Sequence, residues 1–301
     1  MERRRKNEPR RRELTVESES RALEFLLDKV KGKSRNAVKN LLTNRQVLLD
    51  GKVVTRHDTP LAVGQTVTIL PPGAGAPADL PFPICYEDEW LLAIEKPAGL
   101  LSVASDKERE RTAYRMVLEH QRAIDEAAQL HVVHRLDKDT SGLLLFAKSR
   151  EIKEQLQENW ENAVRERVYT AVVSGQPRER TGVVRSYLKE TRTHLVYSSD
   201  DPRGKEAITE YRVQKSENGY SLLELYLQTG RKNQIRVHMK ELGCPVVGDR
   251  KYGGEKSPIG RLCLHAGRLV FTHPVTGEVV TLTSRKPRDF NRLFRTKDGE
   301  T

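Results

Sequence analysis

His134-Arg135-Leu136-Asp137-Lys138-Asp139-Thr140-Ser141-Gly142, running into Leu143-Leu144-Leu145-Phe146, is the most informative stretch of the chain. Of its first eight residues, all but Leu136 are polar and can ionise or hydrogen-bond. Asp139, Thr140 and Gly142 are ordinary turn formers, so the polar run reads as a loop. The apolar residues that follow read as a buried strand. A loop anchored at the end of such a strand is where a scaffold can hold functional side chains rigidly. An Asp-rich turn with no further role would use the same residues, so the stretch alone places a loop and leaves its chemistry open.

Outward from this point the pattern mixes strands and helices. Trp90-Leu91-Leu92-Ala93-Ile94 reads as another buried strand, and Ser149 can cap a helix running to about Trp160. Tyr169-Thr170-Ala171-Val172-Val173 and residues 220–227 are further strands. Ile235, Met239 and Leu242 stand at helical spacing, with Gly243 closing the helix. There is no regular βαβ alternation and no internal repeat. The expectation is an α+β domain over residues 81–295, built on a mixed or antiparallel sheet.

Before it lies a smaller unit, over residues 14–70. Leu23, Leu26, Leu27 and Val30 form one face of an amphipathic helix, and Ser34 can cap a second with Ala37, Val38, Leu41 and Leu42 inward. Val47-Leu48-Leu49 and Val53-Val54 flank Asp50-Gly51, a two-residue hairpin signal. Residues 71–80, rich in Pro, Gly and Ala, read as a linker. Arg35, Lys39 and Arg45 fall along one polar edge, where they could meet successive phosphates.

The chain has 301 residues, 37% hydrophobic and 32% charged, with a net charge of +11. Between Met1 and Arg12, seven cations face only Glu2 and Glu8, so this stretch holds +5 of the total. Like charges repel and nothing there is apolar enough to pack, so residues 1–13 are expected to be a disordered basic tail. A basic chain points to a polyanion partner. No apolar run is long enough for a transmembrane helix, and the start lacks the apolar stretch of a secretory signal. Cys85, Cys244 and Cys263 are scattered, which argues for a reducing cytoplasm and against a structural zinc site. Triad residue types occur in His134, Asp137 and Ser141, but no hydrolase motif accompanies them.

His134-Arg135-Leu136-Asp137 with Thr140-Ser141-Gly142 resembles the signature of the RluA family of pseudouridine synthases. Other segments agree, in the family's order. They are Tyr86-Glu87-Asp88, Ile94-Glu95-Lys96-Pro97-Ala98-Gly99-Leu100, Val168-Tyr169-Thr170-Ala171-Val172-Val173-Ser174-Gly175, and Thr229-Gly230-Arg231 with Gln234-Ile235-Arg236-Val237-His238. Gly248-Asp249, Tyr252-Gly253, Leu264-His265-Ala266 and His273-Pro274 continue the match. The small first unit resembles the alpha-L RNA-binding module of a ribosomal protein. Two segments depart from the pattern. Lys232 and Asn233 stand where the family usually has Thr or Ser, then His. Leu101-Ser102-Val103-Ala104 lacks a His that the first motif often carries.

The resemblance implies isomerisation of uridine within RNA: the bond from the sugar to uracil N1 is exchanged for one to C5. No electrons enter or leave overall, and the chain has neither G-x-G-x-x-G nor a P-loop, so no cofactor and no metal are expected. It implies that Asp137 is the essential carboxylate, adding to the sugar's C1′ or removing a sugar proton, and charged in either role. Arg236 is implied to pair with it; a planar fork suits both carboxylate oxygens, and a separation within ~4 Å is expected. Tyr169 is implied to stack on the base and assist proton transfer. Arg135 is implied to fill the gap left by the flipped nucleotide. His134, Arg231, Ile235 and Leu264 are the remaining substrate-binding candidates. The expected partner is structured RNA, large-subunit ribosomal RNA favoured over tRNA, met by a monomer. A non-catalytic ribosome-assembly protein is the rival reading, against which stands the intact set Asp137, Tyr169 and Arg236.

Overall fold

The computed structural model describes residues 11–43, 45–71, 80–106, 108–253 and 256–295. It divides into two compact units, Met1–Pro81 with Glu110–Leu130, and Phe82–Arg109 with His131–Thr301. Most of the expected basic tail and of the expected linker lies outside the described residues.

The first unit contains β1 (Arg12–Thr15), β2 (Ser20–Arg21), α1 (Ala22–Lys29), α2 (Arg35–Thr43), β3 (Val47–Leu49), β4 (Lys52–Val53), β5 (Pro60–Leu61) and β6 (Thr66–Ile69). Strands β1, β6, β3 and β4 form one sheet in that order, and β2 pairs with β5. Arg12 and Glu13, assigned to the tail from sequence, are strand residues opposite Ile69 and Thr68. Their backbone finds ladder partners that a local charge count cannot foresee. Leu23, Leu26 and Val30 are buried together with Val38, Leu41 and Leu42, so the two helical faces share one core. Asp50 and Gly51 both take positive φ, 48° and 81°, as a two-residue hairpin turn between Leu49 and Lys52 requires. Helix α3 (Ala113–Ile124) belongs to this unit; Thr112 caps it by accepting from the Arg115 amide at 3.2 Å.

The second unit is an α+β body on one large mixed sheet. Its elements are β7 (Ile84–Glu87), β8 (Leu91–Lys96), β9 (His131–Val132), β10 (Ser141–Ala147), α4 (Arg150–Glu158), α5 (Trp160–Ala163), β11 (Val164–Ser174), β12 (Thr181–Glu190), β13 (Val196–Ser199), β14 (Lys205–Glu217), β15 (Tyr220–Leu227), α6 (Gln234–Glu241), β16 (Leu264–Thr272) and β17 (Val279–Thr283), closed by a 3₁₀ turn at Arg288–Phe294. The sheet order is β13-β12-β14-β15-β11-β16-β10-β8-β7, with β17 beside β16 and β9 beside β10. Every named pairing is antiparallel except β10 with β16.

Strand β10 is buried along its whole length, as its unbroken apolar run anticipates, and Ser149 caps α4 by accepting from the Ile152 amide. Strands β12, β13 and β14 are not legible in the sequence, because charged residues interrupt β12 and β14 and β13 has only four residues. Their inward residues alternate nonetheless: Val184, Ser186 and Leu188 are buried on β12. Helix α6 lays Ile235 and Met239 into the core formed by β11, β14 and β15. The sheet therefore brings the polar loop before β10, the middle of β11 and the first turn of α6 to one place.

Candidate active site

Asp137 sits in a loop clamped from both sides. Ser102 Oγ donates to Leu136 O at 2.8 Å and accepts from Leu136 N at 3.1 Å. On the other side Lys138 O accepts from Lys96 Nζ at 3.0 Å and from Gly99 N at 2.9 Å. Lys96 is wholly buried, and its ammonium also donates to Pro97 O and Leu100 O. The loop then enters β10 at Gly142, whose φ is +112° and where a Cβ would lie 2.2 Å from Ala266 O of the parallel neighbour. Only glycine fits there. The motif residues on either side of Asp137 thus fix its backbone, and the side chain remains 32% exposed towards a cavity of about 780 Å³.

Asp137, Tyr169 and Arg236 all line this cavity, with Arg135, His134, Arg231, Ile235 and Leu264. Arg236 Nη1 lies 3.3 Å from Asp137 Oδ2, within the expected ion-pair distance. The expected fork-on-carboxylate geometry is corrected. Arg236 directs its fork at Asp249, Nε to Oδ2 at 2.6 Å and Nη2 to Oδ1 at 2.7 Å, and leaves one nitrogen for Asp137. The reason is burial: the Asp249 side chain is fully enclosed and requires compensation, whereas Asp137 faces open space. Asp249 Oδ1 also accepts from the amides of Lys251 and Tyr252, so it is a fixed anchor.

Asn233, noted as a departure from the family pattern, belongs to the same assembly. Its Oδ1 accepts from Arg236 Nη1 at 3.1 Å, and its Nδ2 donates to Tyr252 Oη at 2.9 Å. It precedes α6 in a left-handed conformation, φ 55°, which Asn tolerates well. The Tyr252 ring lies 5.0 Å from the Arg236 guanidinium carbon. Burial opposes the charge of Arg236, but hydrogen bonds to Asp249 and the charges of Asp249 and Asp137 outweigh it and raise its pKa. Lys232, the other departure, forms an ion pair with Glu190.

Tyr169 lies mid-strand on β11 opposite Ala266 and Leu225. Burial pushes its hydroxyl up to about 12; Arg167 opposes the shift and Asp137 reinforces it. It therefore stays a phenol at neutral pH, a hydrogen-bond donor beside the carboxylate. His134 is placed differently from a ligand. Its Nε2 accepts the Leu145 amide at 3.1 Å, its ring packs against Trp160, and burial pushes its pKa down to about 4. It presents a neutral ring to the cavity. Ile235 and Leu264, both buried, supply apolar wall. Arg135 and Arg231 are exposed, Arg231 with its Nε on Glu206 O at 2.9 Å. Gln234 organises the preceding loop, accepting from Thr229 Oγ1 and Arg231 N and donating to Ile208 O and Thr209 Oγ1.

Other motif residues serve the frame. Tyr86 donates to Asp88, which also lies 3.1 Å from His273 Nε2 and accepts the amides of Trp90 and Leu91. Ser141, the serine of the hydrolase alternative, is buried between His265 Nδ1 at 2.9 Å and Arg261 Nη2 at 2.5 Å, not beside His134. In the first unit, Arg35 and Lys39 stand one turn apart on α2, with Arg45 beyond its end.

Sequence reading gave no role to Asp249 or Ser102. Gly248-Asp249 stands in the sequence as part of a motif, and that is the signal that could have pointed to Asp249. Ser102 carried no signal, because its work is to hold backbone.

The family model described as RNA pseudouridylate synthase matches residues 90–241. An RNA pseudouridine synthase of Bacillus subtilis (strain 168), YhcT, is 36% identical over 71% of this chain and 71% of its own. A ribosomal large subunit pseudouridine synthase D of Zymomonas mobilis is 34% identical over 91% of this chain and 92% of its own. Among solved structures, human RNA pseudouridylate synthase domain containing 4 aligns with a TM-score of 0.58 and 27% identity, over 70% of this chain and 90% of that one.

Proposed function

The chain belongs to the RluA family of RNA pseudouridine synthases and is an isomerase acting on RNA, and from that premise we propose that it modifies uridines of large-subunit ribosomal RNA, with Asp137 as the reacting carboxylate. The observation that carries the site assignment is the Asp137–Arg236 contact at 3.3 Å inside a cavity that also holds Tyr169. A uridine flipped into this cavity would bring its sugar to Asp137 and its ring against Tyr169, Ile235 and Leu264. Extruding the base costs a few kcal/mol, and Arg135 at the rim offsets part of that by occupying the vacated stack.

Arg236 supplies a permanent cation beside Asp137, 3.3 Å from its carboxylate. Breaking the N1–C1′ bond leaves uracil with developing negative charge on its ring. The Tyr169 phenol donates a hydrogen bond there. The walls of the cavity hold the detached ring while it turns to present C5 to C1′. The proton on C5 is lost and N1 gains one, so atoms balance without a co-reactant.

Ribosomal RNA is favoured because relatives named for the large ribosomal subunit match most of the chain. The basic first unit, which resembles an alpha-L module, supplies a second RNA-binding surface in the same reading. The test is to map pseudouridines in total RNA with and without the gene, and again with Asp137→Asn. Loss of specific large-subunit sites in both is expected. Sites lost from tRNA instead would reassign the substrate. Unchanged conversion by Asp137→Asn would end the assignment of the carboxylate.

A further inference from the structure

A second cavity, of about 330 Å³, adjoins the first and shares Trp160, Glu161, Arg167, Leu227 and Gln228 with it. Its volume falls within the roughly 300–1,000 Å³ range of ligand pockets. Tyr226 adds a further aromatic wall. The common wall is dominated by Arg167. Arg167 Nη2 donates to Leu227 O at 3.2 Å and Gln228 O at 3.0 Å, and its guanidinium carbon lies 6.0 Å from the Trp160 ring. Gly230 lies against it, its ideal Cβ position only 2.5 Å from Arg167 Nη1. The guanidinium is thus held in place by backbone, not by a counter-charge. Among the described residues no carboxylate lies within ion-pair distance of it, although the charge of Glu161 acts on it from further off, and its Nε and Nη1 have no acceptor. Two carboxylates of the second cavity have other partners: Glu166 lies 3.1 Å from Arg268, and Glu210 accepts from Gln228. Glu161 is exposed at the rim of both cavities.

A half-buried cation without an acid partner is costly unless an anion completes it. An RNA strand supplies one at every step. We propose that Arg167 holds the phosphate joining the target uridine to one neighbour, and that the second cavity receives that neighbour's base against Trp160 or Tyr226. This rests on the reading of the main cavity as the uridine site. Continuity of the strand favours it: the two cavities share Arg167 in their lining, so a strand leaving the main cavity past Arg167 reaches the second. Stacking on aromatic rings with a guanidinium on the backbone is how splayed single strands are commonly held.

The experiment uses the full chain and a short RNA with one target uridine. Either flanking phosphate is replaced in turn by a neutral methylphosphonate, and either flanking base is removed in turn. For one flank only, the methylphosphonate should raise KM about tenfold and leave kcat within about threefold. Arg167→Gln should raise KM on the unmodified RNA similarly, and lower the slope of log affinity against log salt by ~0.7. On the methylphosphonate RNA it should add nothing more, which a merely structural role would not produce. Removing the base on that flank should likewise be without effect in Tyr226→Ala or Trp160→Ala. Additive losses, or a wild-type protein indifferent to both methylphosphonates, would overturn the subsite. Should Arg167→Gln not fold, the wild-type series decides alone. A protein that fails to convert the unmodified RNA would point instead to failure of the main-site reading or of the chosen substrate.

Discussion

Arg236 holds Asp249 with two nitrogens, at 2.6 and 2.7 Å, and reaches Asp137 with the third at 3.3 Å. The arginine is therefore aimed by a buried acid that lies 13 positions away in sequence and has no opening to the cavity. A guanidinium can do this because its donors lie in one plane and point in different directions. A lysine has no such geometry: one ammonium cannot grip Asp249 bidentately and still present a donor to Asp137.

Asp249→Asn should consequently lower kcat far more than it raises KM. The amide keeps one acceptor but turns an N–H towards the guanidinium, so Arg236 loses its aim. A loss of about 10²-fold in kcat is expected, the scale of a misplacement of around 1 Å. Arg236→Lys should lose a similar amount while retaining RNA affinity. Steady-state kinetics on one RNA substrate measure both. Wild-type kcat in Asp249→Asn would show that Arg236 is positioned by other contacts.

Ser102→Ala removes a hydroxyl that serves both Leu136 O and Leu136 N. Two buried backbone groups beside Asp137 would lose their partner, at a cost of about 1–3 kcal/mol for each group left unsatisfied. The variant should melt several degrees lower and turn over more slowly at saturating RNA. Thermal melting read together with kcat tests this. An unchanged melting temperature would mean that water replaces the hydroxyl without loss.

Arg35→Glu with Lys39→Glu should weaken RNA binding and reduce its salt dependence, leaving kcat on a saturating minimal substrate unaltered. Two lost phosphate contacts lower the slope of log affinity against log salt by ~1.8 on a duplex or ~1.4 on a single strand. Filter binding over a salt series gives the slope. An identical slope would remove α2 from the RNA surface.

Stability should fall on acidification. Burial pushes His238 and His265 down to about 4, and His134 likewise. The unfolded chain takes up these protons near the ordinary value of about 6.5, before the folded chain does. The stabilisation is therefore complete above about 6.5 and is lost as pH falls from there towards 4. Each histidine contributes a slope of up to about 1.4 kcal/mol per pH unit in that window. Denaturant midpoints at about pH 7 and about pH 5 should differ accordingly. Equal midpoints would show that these rings titrate normally.

By itself the sequence determined the local elements and the residue types of the site. The unbroken run 143–146 read as a buried strand, Ser149 as a helix cap and Asp50-Gly51 as a hairpin turn, and all three are so in the structure. Asp137, Tyr169 and Arg236 were named through the resemblance of their motifs to the family's, and they line one cavity. Strands β12 and β14 were not legible, since charged residues interrupt the apolar pattern of both. The tertiary structure alone decided what each side chain holds. Asp249 meets Arg236, Ser102 meets Leu136 and Arg167 overlies Gly230 through pairings between segments distant in the chain. Hydrogen-bond geometry is set to tenths of an ångström by the packing of whole strands and helices. Residue type and spacing say which groups can pair, and only the fold, by burying Asp249 and leaving Asp137 open, says which of the two receives the fork.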